Sequence, residues 1–166
     1  MSIRTFYDRW PQYNRRLTEV VGSMTDDQLA IRPSPDHWPV WAIVGHTAGT
    51  RVYWLCHVLG EAGAGSTPWP EKTDEGWEDD LSRPRGSAEL VGALDATFAI
   101  LDRCFDTWTP EMLGDEVERF YGEERQVHSR SSILQRLLTH DAYHTGEISQ
   151  TLGVNGLPTP YIWRSY

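Results

Sequence analysis

Ser132-Ile133-Leu134-Gln135-Arg136-Leu137-Leu138-Thr139-His140-Asp141-Ala142-Tyr143-His144-Thr145-Gly146-Glu147-Ile148 is the stretch on which the reading of this chain turns. Ser132 and Gln135 form a capping-box pair, and Gly153 is placed to stop the helix that follows. Ile133, Leu137, His140, His144, Ile148 and Thr151 succeed one another along one face. The two histidines therefore continue a core stripe instead of meeting solvent. Four residues apart, they stand one helical turn above each other. Both rings can reach a single metal ion, which takes imidazole nitrogen at about 2.0–2.1 Å. The pair alone is a weak motif. It needs a third ligand, a helical scaffold and an open face.

The third ligand comes from upstream. Pro39 opens a second helix expected to run to about Leu59 and stop at Gly60. Trp41, Val44, Ala48, Val52, Leu55 and Leu59 make one apolar stripe, and small or apolar residues surround His46 on another side, so this helix is buried on two faces. Gly45 and Gly49 flank His46 and weaken the helix by about 1 kcal/mol each; close approach of a neighbouring helix or a ligand is a physical reason to keep them. Three inward imidazoles are costly to bury unpaired. Counted from the helix ends, His46 and His144 lie at similar depths, about 10 and 12 Å. His57 is about 16 Å further along its helix and cannot join them. His37 and His128 fall in connections.

Two more helices complete the scaffold. Phe6, Trp10, Tyr13, Leu17 and Val20/Val21 mark an amphipathic helix over 3–22, with Arg15, Arg16 and Glu19 outside and Pro11 kinking it or setting its start. Thr25 and Gln28 cap a single turn. Leu90, Leu94, Phe98, Leu101 and Phe105 give another stripe behind Ser87 as N-cap, ending around Thr107 to Pro110. Residues 61–86, rich in Gly, Pro and acid with Trp69 and Trp77 embedded, are the longest irregular stretch: a crossover or a lid. Such a segment can return the chain along a bundle if helices two and three run parallel. Val117 to Val127, centred on Gly122, reads as a small hairpin. The tail from Leu157 to Trp163 is too apolar for a free end and is expected to pack.

The bulk numbers bound the rest. The 166 residues fit one domain, 1–166, and the net charge of −9 excludes a nucleic-acid surface. Lys72 is the single lysine, which leaves one Schiff-base candidate, in a polar loop. Cys56 and Cys104 are too few for a disulfide framework or thiolate site and read as small packed hydrophobes. No apolar run approaches the about 20 residues of a membrane span, and MSIRTFYDRW lacks a signal-peptide core, so a cytoplasmic protein is expected.

On Trp41-Ala42-Ile43-Val44-Gly45-His46 and His140-Asp141-Ala142-Tyr143-His144-Thr145-Gly146-Glu147-Ile148, the chain resembles the DinB-like superfamily, small four-helix proteins related to thiol-dependent transferases. The resemblance implies an all-α, up-down-down-up four-helix bundle with its long crossover between helices two and three. It implies a zinc or nickel ion on His46, His140 and His144, a low-molecular-weight thiol such as mycothiol or bacillithiol, a small-molecule substrate, and a homodimer. Some isomerase relatives carry glutamate where His140 stands, so isomerase activity does not carry over.

The expected chemistry is metal-assisted attack by a bound thiol on a small electrophile, with Arg51 meeting carboxylates of the thiol cofactor and Trp and Tyr residues lining the pocket. The rival enzyme is a metal-dependent hydrolase with Glu147 as base for a metal-bound water; Glu147 is otherwise a carboxylate that orients an imidazole, or a surface group. The non-enzymatic alternative is a bundle that binds a ligand or partner around a structural or lost metal.

Overall fold

The computed structural model describes residues 1–161. Its long helices are α1 (Trp10–Gly22), α3 (Val40–Val52), α4 (Ser87–Thr107) and α5 (Arg130–Val154), with a single capped turn, α2 (Asp26–Leu29), after the first. The α3 helix packs on both α4 and α5, and α1 packs on α4. Among the described residues no helix is long and apolar enough to cross a membrane.

The expected elements form, with instructive shifts. Pro11 sits in the first turn of α1, where its missing N–H costs nothing, so it sets the start and does not kink the helix. Residues before it form a separate 3-10 turn, Ile3–Phe6, in which Ile3 takes the buried place and Phe6 is 69% exposed. Arg16, expected outside, is buried and donates to the carbonyl of Tyr161, so the chain after α5 returns to α1. Ile162 and Trp163, part of the tail expected to pack, lie outside the described residues. The caps of α4 and α5 fall earlier than expected, at Gly86 and at Ser129, whose hydroxyl accepts from the N–H of Ser132. At its other end α5 runs past Gly153 to Val154, and Gly156 takes the left-handed conformation (φ 69°) that turns the chain.

The all-α expectation needs amending: a two-stranded antiparallel hairpin, β1 (Glu116–Tyr121) and β2 (Glu124–Ser129), leads directly into α5. Tyr121 pairs with Glu124, and Gly122 (φ 59°) supplies the left-handed first position of the two-residue turn. The hairpin packs on the continuation of α3, because Val52 is followed by a π-helical stretch, Tyr53–Val58. Glu61 then ties the strand-to-helix corner. It accepts from the Trp108 indole N–H at 2.9 Å and pairs with Arg130, the first residue of α5, at 2.8 Å.

The crossover is built on the two glycines of α3. Trp77 packs where a Cβ on Gly45 would lie 3.1 Å from its ring, and Trp69 covers Gly49 at 3.3 Å. The two indoles contact each other, with ring centroids 4.8 Å apart. What approaches α3 so closely is thus the crossover itself, and this seats Glu78 beside His46.

Candidate metal centre

Two helices bring the three histidines together. His46 on α3 and His140 and His144 on α5 present nitrogens that all lie within 4.8 Å of one another. The Nε2 atoms of His46 and His140 are 3.0 Å apart. A helical scaffold can do this because His140 and His144 share one face of α5 and His46 is on the face of α3 that α5 covers.

Carboxylates fix the orientation of two rings. His46 Nδ1 meets Glu78 Oε1, and His144 Nδ1 meets Glu147 Oε2 at 2.6 Å. A carboxylate accepts only, so each Nδ1 carries a proton and each Nε2 is the nitrogen turned to the centre. Glu147 is thus placed, through Oε2, to orient the His144 ring. Glu78 was not foreseen. It lies in an irregular segment with no motif around it, and only the pair Gly45/Gly49 signalled that something would dock there. Gly76 lets its carboxylate fold back: a Cβ there would lie 2.2 Å from Glu78 Oε2.

The third ring tests whether a cation fits. His140 Nδ1 is buried without a hydrogen-bond partner, as is Glu78 Oε2. With Nδ1 protonated, the His140 lone pair faces that of His46 across 3.0 Å, an arrangement unfavourable unless something positive lies between them. With Nε2 protonated, the two rings bond each other and Nδ1 is left as an unpaired acceptor. Either tautomer leaves the buried Nδ1 unpartnered, at a cost of about 1–3 kcal/mol; a cation at Nε2 relieves the facing lone pairs of the first tautomer, not the Nδ1 itself. Burial, then the neighbouring His144 and His46, pushes the His140 imidazole down to about 3. Burial also lowers His144, against the opposing pull of its bond to Glu147. Both rings are held in the neutral form that binds metal. The residues fit a divalent ion on three imidazoles.

The centre opens on one side. His46 lines a cavity of about 390 Å³ whose wall includes Tyr53, Trp54, Trp69 and Arg119. Trp38 leans on the His46 ring and the exposed Tyr143 sets its edge to His144, each with centroids 5.0 Å apart. His57 bonds the carbonyl of Trp69 at 3.2 Å and lines the same cavity without joining the three rings.

Arg51 has a different place from the one expected of it. It is 1% exposed and donates to Asp141 at 2.8 Å, to Asn14 at 2.8 Å and to the carbonyl of Leu94 at 3.3 Å. Asp141 also accepts from the Trp10 indole at 2.9 Å. A guanidinium so enclosed is committed to protein partners and is closed off from the cavity beside His46. Its work is to clamp α5 against α1 and α3. Asp141 follows His140 directly, so the clamp fixes the rotation of α5 that turns both histidines toward His46.

Comparison with known proteins agrees with this geometry. A family model described as the DinB superfamily matches residues 12–148, which include all three histidines. Among solved structures, a DinB-like protein from Bacillus cereus ATCC 10987 superposes with a TM-score of 0.70 at 19% identity, covering 99% of this chain and 98% of its own. A conserved protein from Enterococcus faecalis gives 0.68 at 17% identity, covering 91% and 95%. Both likenesses are of fold. No curated protein matches. With its family match running from α1 through the HxxxH helix, the chain belongs to the DinB superfamily.

Proposed function

We propose that this protein is a divalent-metal-dependent transferase that activates a low-molecular-weight thiol, of the mycothiol or bacillithiol kind, for attack on a small electrophile. One observation carries the reading: three imidazoles converge beside an open cavity, and no fourth protein ligand joins them among the described residues. Structural zinc sites are normally closed by four protein ligands, so a three-ligand set favours a reactive centre over a structural one. A zinc or nickel ion held there lowers the pKa of a thiol or water that enters its open side.

The protein's own residues supply the remainder. His46, His140 and His144 add no charge of their own, leaving the cation's full charge to act on the nucleophile. Glu78 and Glu147 hold two of the rings by Nδ1 and keep each Nε2 turned to the centre. Tyr53, Trp54 and Trp69 give the cavity an aromatic wall against which an apolar electrophile can lie. Carbon–sulfur bond formation expels the electrophile's leaving group, and the thiol proton passes to solvent. The hydrolytic alternative requires a free base at the centre, and Glu147 is already engaged by His144, which favours the thiol reading.

The test compares wild type with His46→Ala for metal content as purified and for conjugation of a haloaromatic electrophile with several thiols. Wild type should hold zinc or nickel and conjugate only when thiol is present. A wild type that takes up neither metal on titration sinks the proposal, and turnover without thiol transfers it to the hydrolase.

A further inference from the structure

Among the described residues, Arg119 is a cation whose surroundings ask for a ligand. It stands on β1 and lines the cavity that His46 lines, so one molecule can touch both. Its guanidinium lies over the rings of Trp54 at 4.9 Å and of Tyr53 and Tyr121 at 5.5 Å each. Its Nε is buried with no partner, as are those of Arg85 and Arg130, but those two have an ion pair through another nitrogen. Among the described residues it makes no hydrogen bond or ion pair of the kind that engages the other enclosed arginines: Arg51 with Asp141, Arg85 with Glu89, Arg130 with Glu61. The carboxylate next to it in sequence, Glu118, projects to the opposite face of the hairpin and pairs with Arg125.

Arg119 differs from the unpaired arginines of the surface in being part-buried, where a guanidinium without a partner is costly. Three aromatic faces hold the guanidinium plane without satisfying its N–H groups. That leaves a fixed fork of donors, suited to a carboxylate, at the edge of an aromatic cavity. Glu71, Asp74 and Glu75 of the crossover line the same cavity. Their field, with that of Glu78 on the same wall, opposes every anion and multiply charged ones such as phosphate most, so an anionic group is held only where Arg119 meets it.

We infer that Arg119 is the carboxylate-recognition residue of this site, and that the thiol it selects carries a carboxylate at the end remote from sulfur. The inference rests on the thiol reading proposed above and gives Arg119 the role the sequence had offered to Arg51. Arg119 is a binding and specificity residue in this account; it takes no part in bond making.

The test uses the cobalt(II)-substituted protein, in which a thiol bound to the metal gives a sulfur-to-cobalt absorption band. Wild type and Arg119→Gln are titrated with uncharged 2-mercaptoethanol, cationic cysteamine, and a length series of ω-mercaptocarboxylates. In wild type, at least one length of mercaptocarboxylate should bind about tenfold or more tighter than 2-mercaptoethanol, the size of one hydrogen bond to a charged group. Arg119→Gln should erase that preference and leave 2-mercaptoethanol unchanged, with Arg119→Lys in between. No preference at any length, or a preference for cysteamine, overturns the inference in wild type alone, whatever the variants do. If no thiol gives the band, the thiol reading fails. Arg119 is then judged on the metal-free protein, where butyrate should perturb tryptophan emission in wild type and not in Arg119→Gln. Equal responses there overturn it.

Discussion

Two polar clusters are buried where α5 meets the rest of the protein, and they are finished differently. In the first, Arg51, Asp141, Asn14 and Trp10 satisfy one another, and none of their buried side-chain atoms lacks a partner. In the second, three imidazoles and two carboxylates meet, and both His140 Nδ1 and Glu78 Oε2 are orphaned. The clusters are one residue apart on α5, at His140 and Asp141, so burial and helix geometry do not separate them. Closure does. A closed network holds helices together, whereas the open one leaves the Nε2 atoms of His46 and His140 facing each other at 3.0 Å, a place suited to a cation.

The closed cluster is the place to look for the largest loss of stability. Arg51→Met should cost about 3–5 kcal/mol in urea unfolding, because it leaves the Asp141 carboxylate buried and uncompensated. Adding Asp141→Asn should recover a good part of that loss. A single-variant cost below about 1 kcal/mol would show that the clamp is not closed in the sense argued. The open cluster should respond the other way. His140→Ala removes an orphaned atom, so the metal-free protein should unfold within about 1 kcal/mol of wild type or be firmer. Its zinc affinity should fall by more than about 100-fold, beyond what losing a mere orienting partner costs. A metal-free variant that is several kcal/mol weaker would mean that His140 is a core residue and not a ligand.

The same contrast explains what could be read from the sequence. Helical periodicity carries His140 and His144 onto the face that also holds Ile133, Leu137 and Ile148, and burial on two sides carries His46 inward, so the three rings were legible before any fold was known. The hairpin around Gly122 was legible too, since a glycine between alternating residues is a local signal. Arg51 was misread because exposure cannot be seen in a sequence: a lone arginine on a buried helix offers itself equally to a cofactor or to Asp141, 90 residues away. Glu78 was missed for the complementary reason. Its place depends on Trp69 and Trp77 docking onto Gly49 and Gly45, a tertiary contact with no periodicity. The glycines announced a visitor without naming it.

Because Glu78 reaches the centre from the crossover, it shows whether that segment belongs to the open cluster. Glu78→Gln keeps the shape and removes the acceptor charge opposite His46 Nδ1. Zinc affinity, measured by competition with a chelator, should fall about 10- to 100-fold. Gly76→Ala should move in the same direction, since its Cβ would claim the space of the Glu78 carboxylate. If Glu78→Gln holds zinc as tightly as wild type, the crossover is only a connection, and the open cluster ends at the two helices.

A further signature of the open cluster is read from pH, one unit at a time. In the folded metal-free protein His140 titrates at about 3, below its ordinary value of 6.5, because protonating it would bury a charge beside two other imidazoles. As pH falls through 6.5 the unfolded chain takes up this proton and the folded chain does not, so protons favour unfolding. The stability contribution is therefore complete above about pH 6.5 and is lost progressively as pH falls toward 3. For one proton the slope is at most about 1.4 kcal/mol per pH unit. His128 is lowered as well, by burial and then by Arg136 and Arg119, so the comparison is made in a His128→Gln background. In that background His140→Ala should flatten the profile between pH 6 and 4 by part of this slope. A profile of unchanged steepness would mean that His140 takes up its proton as readily folded as unfolded, which an imidazole with a stranded, buried Nδ1 should not do.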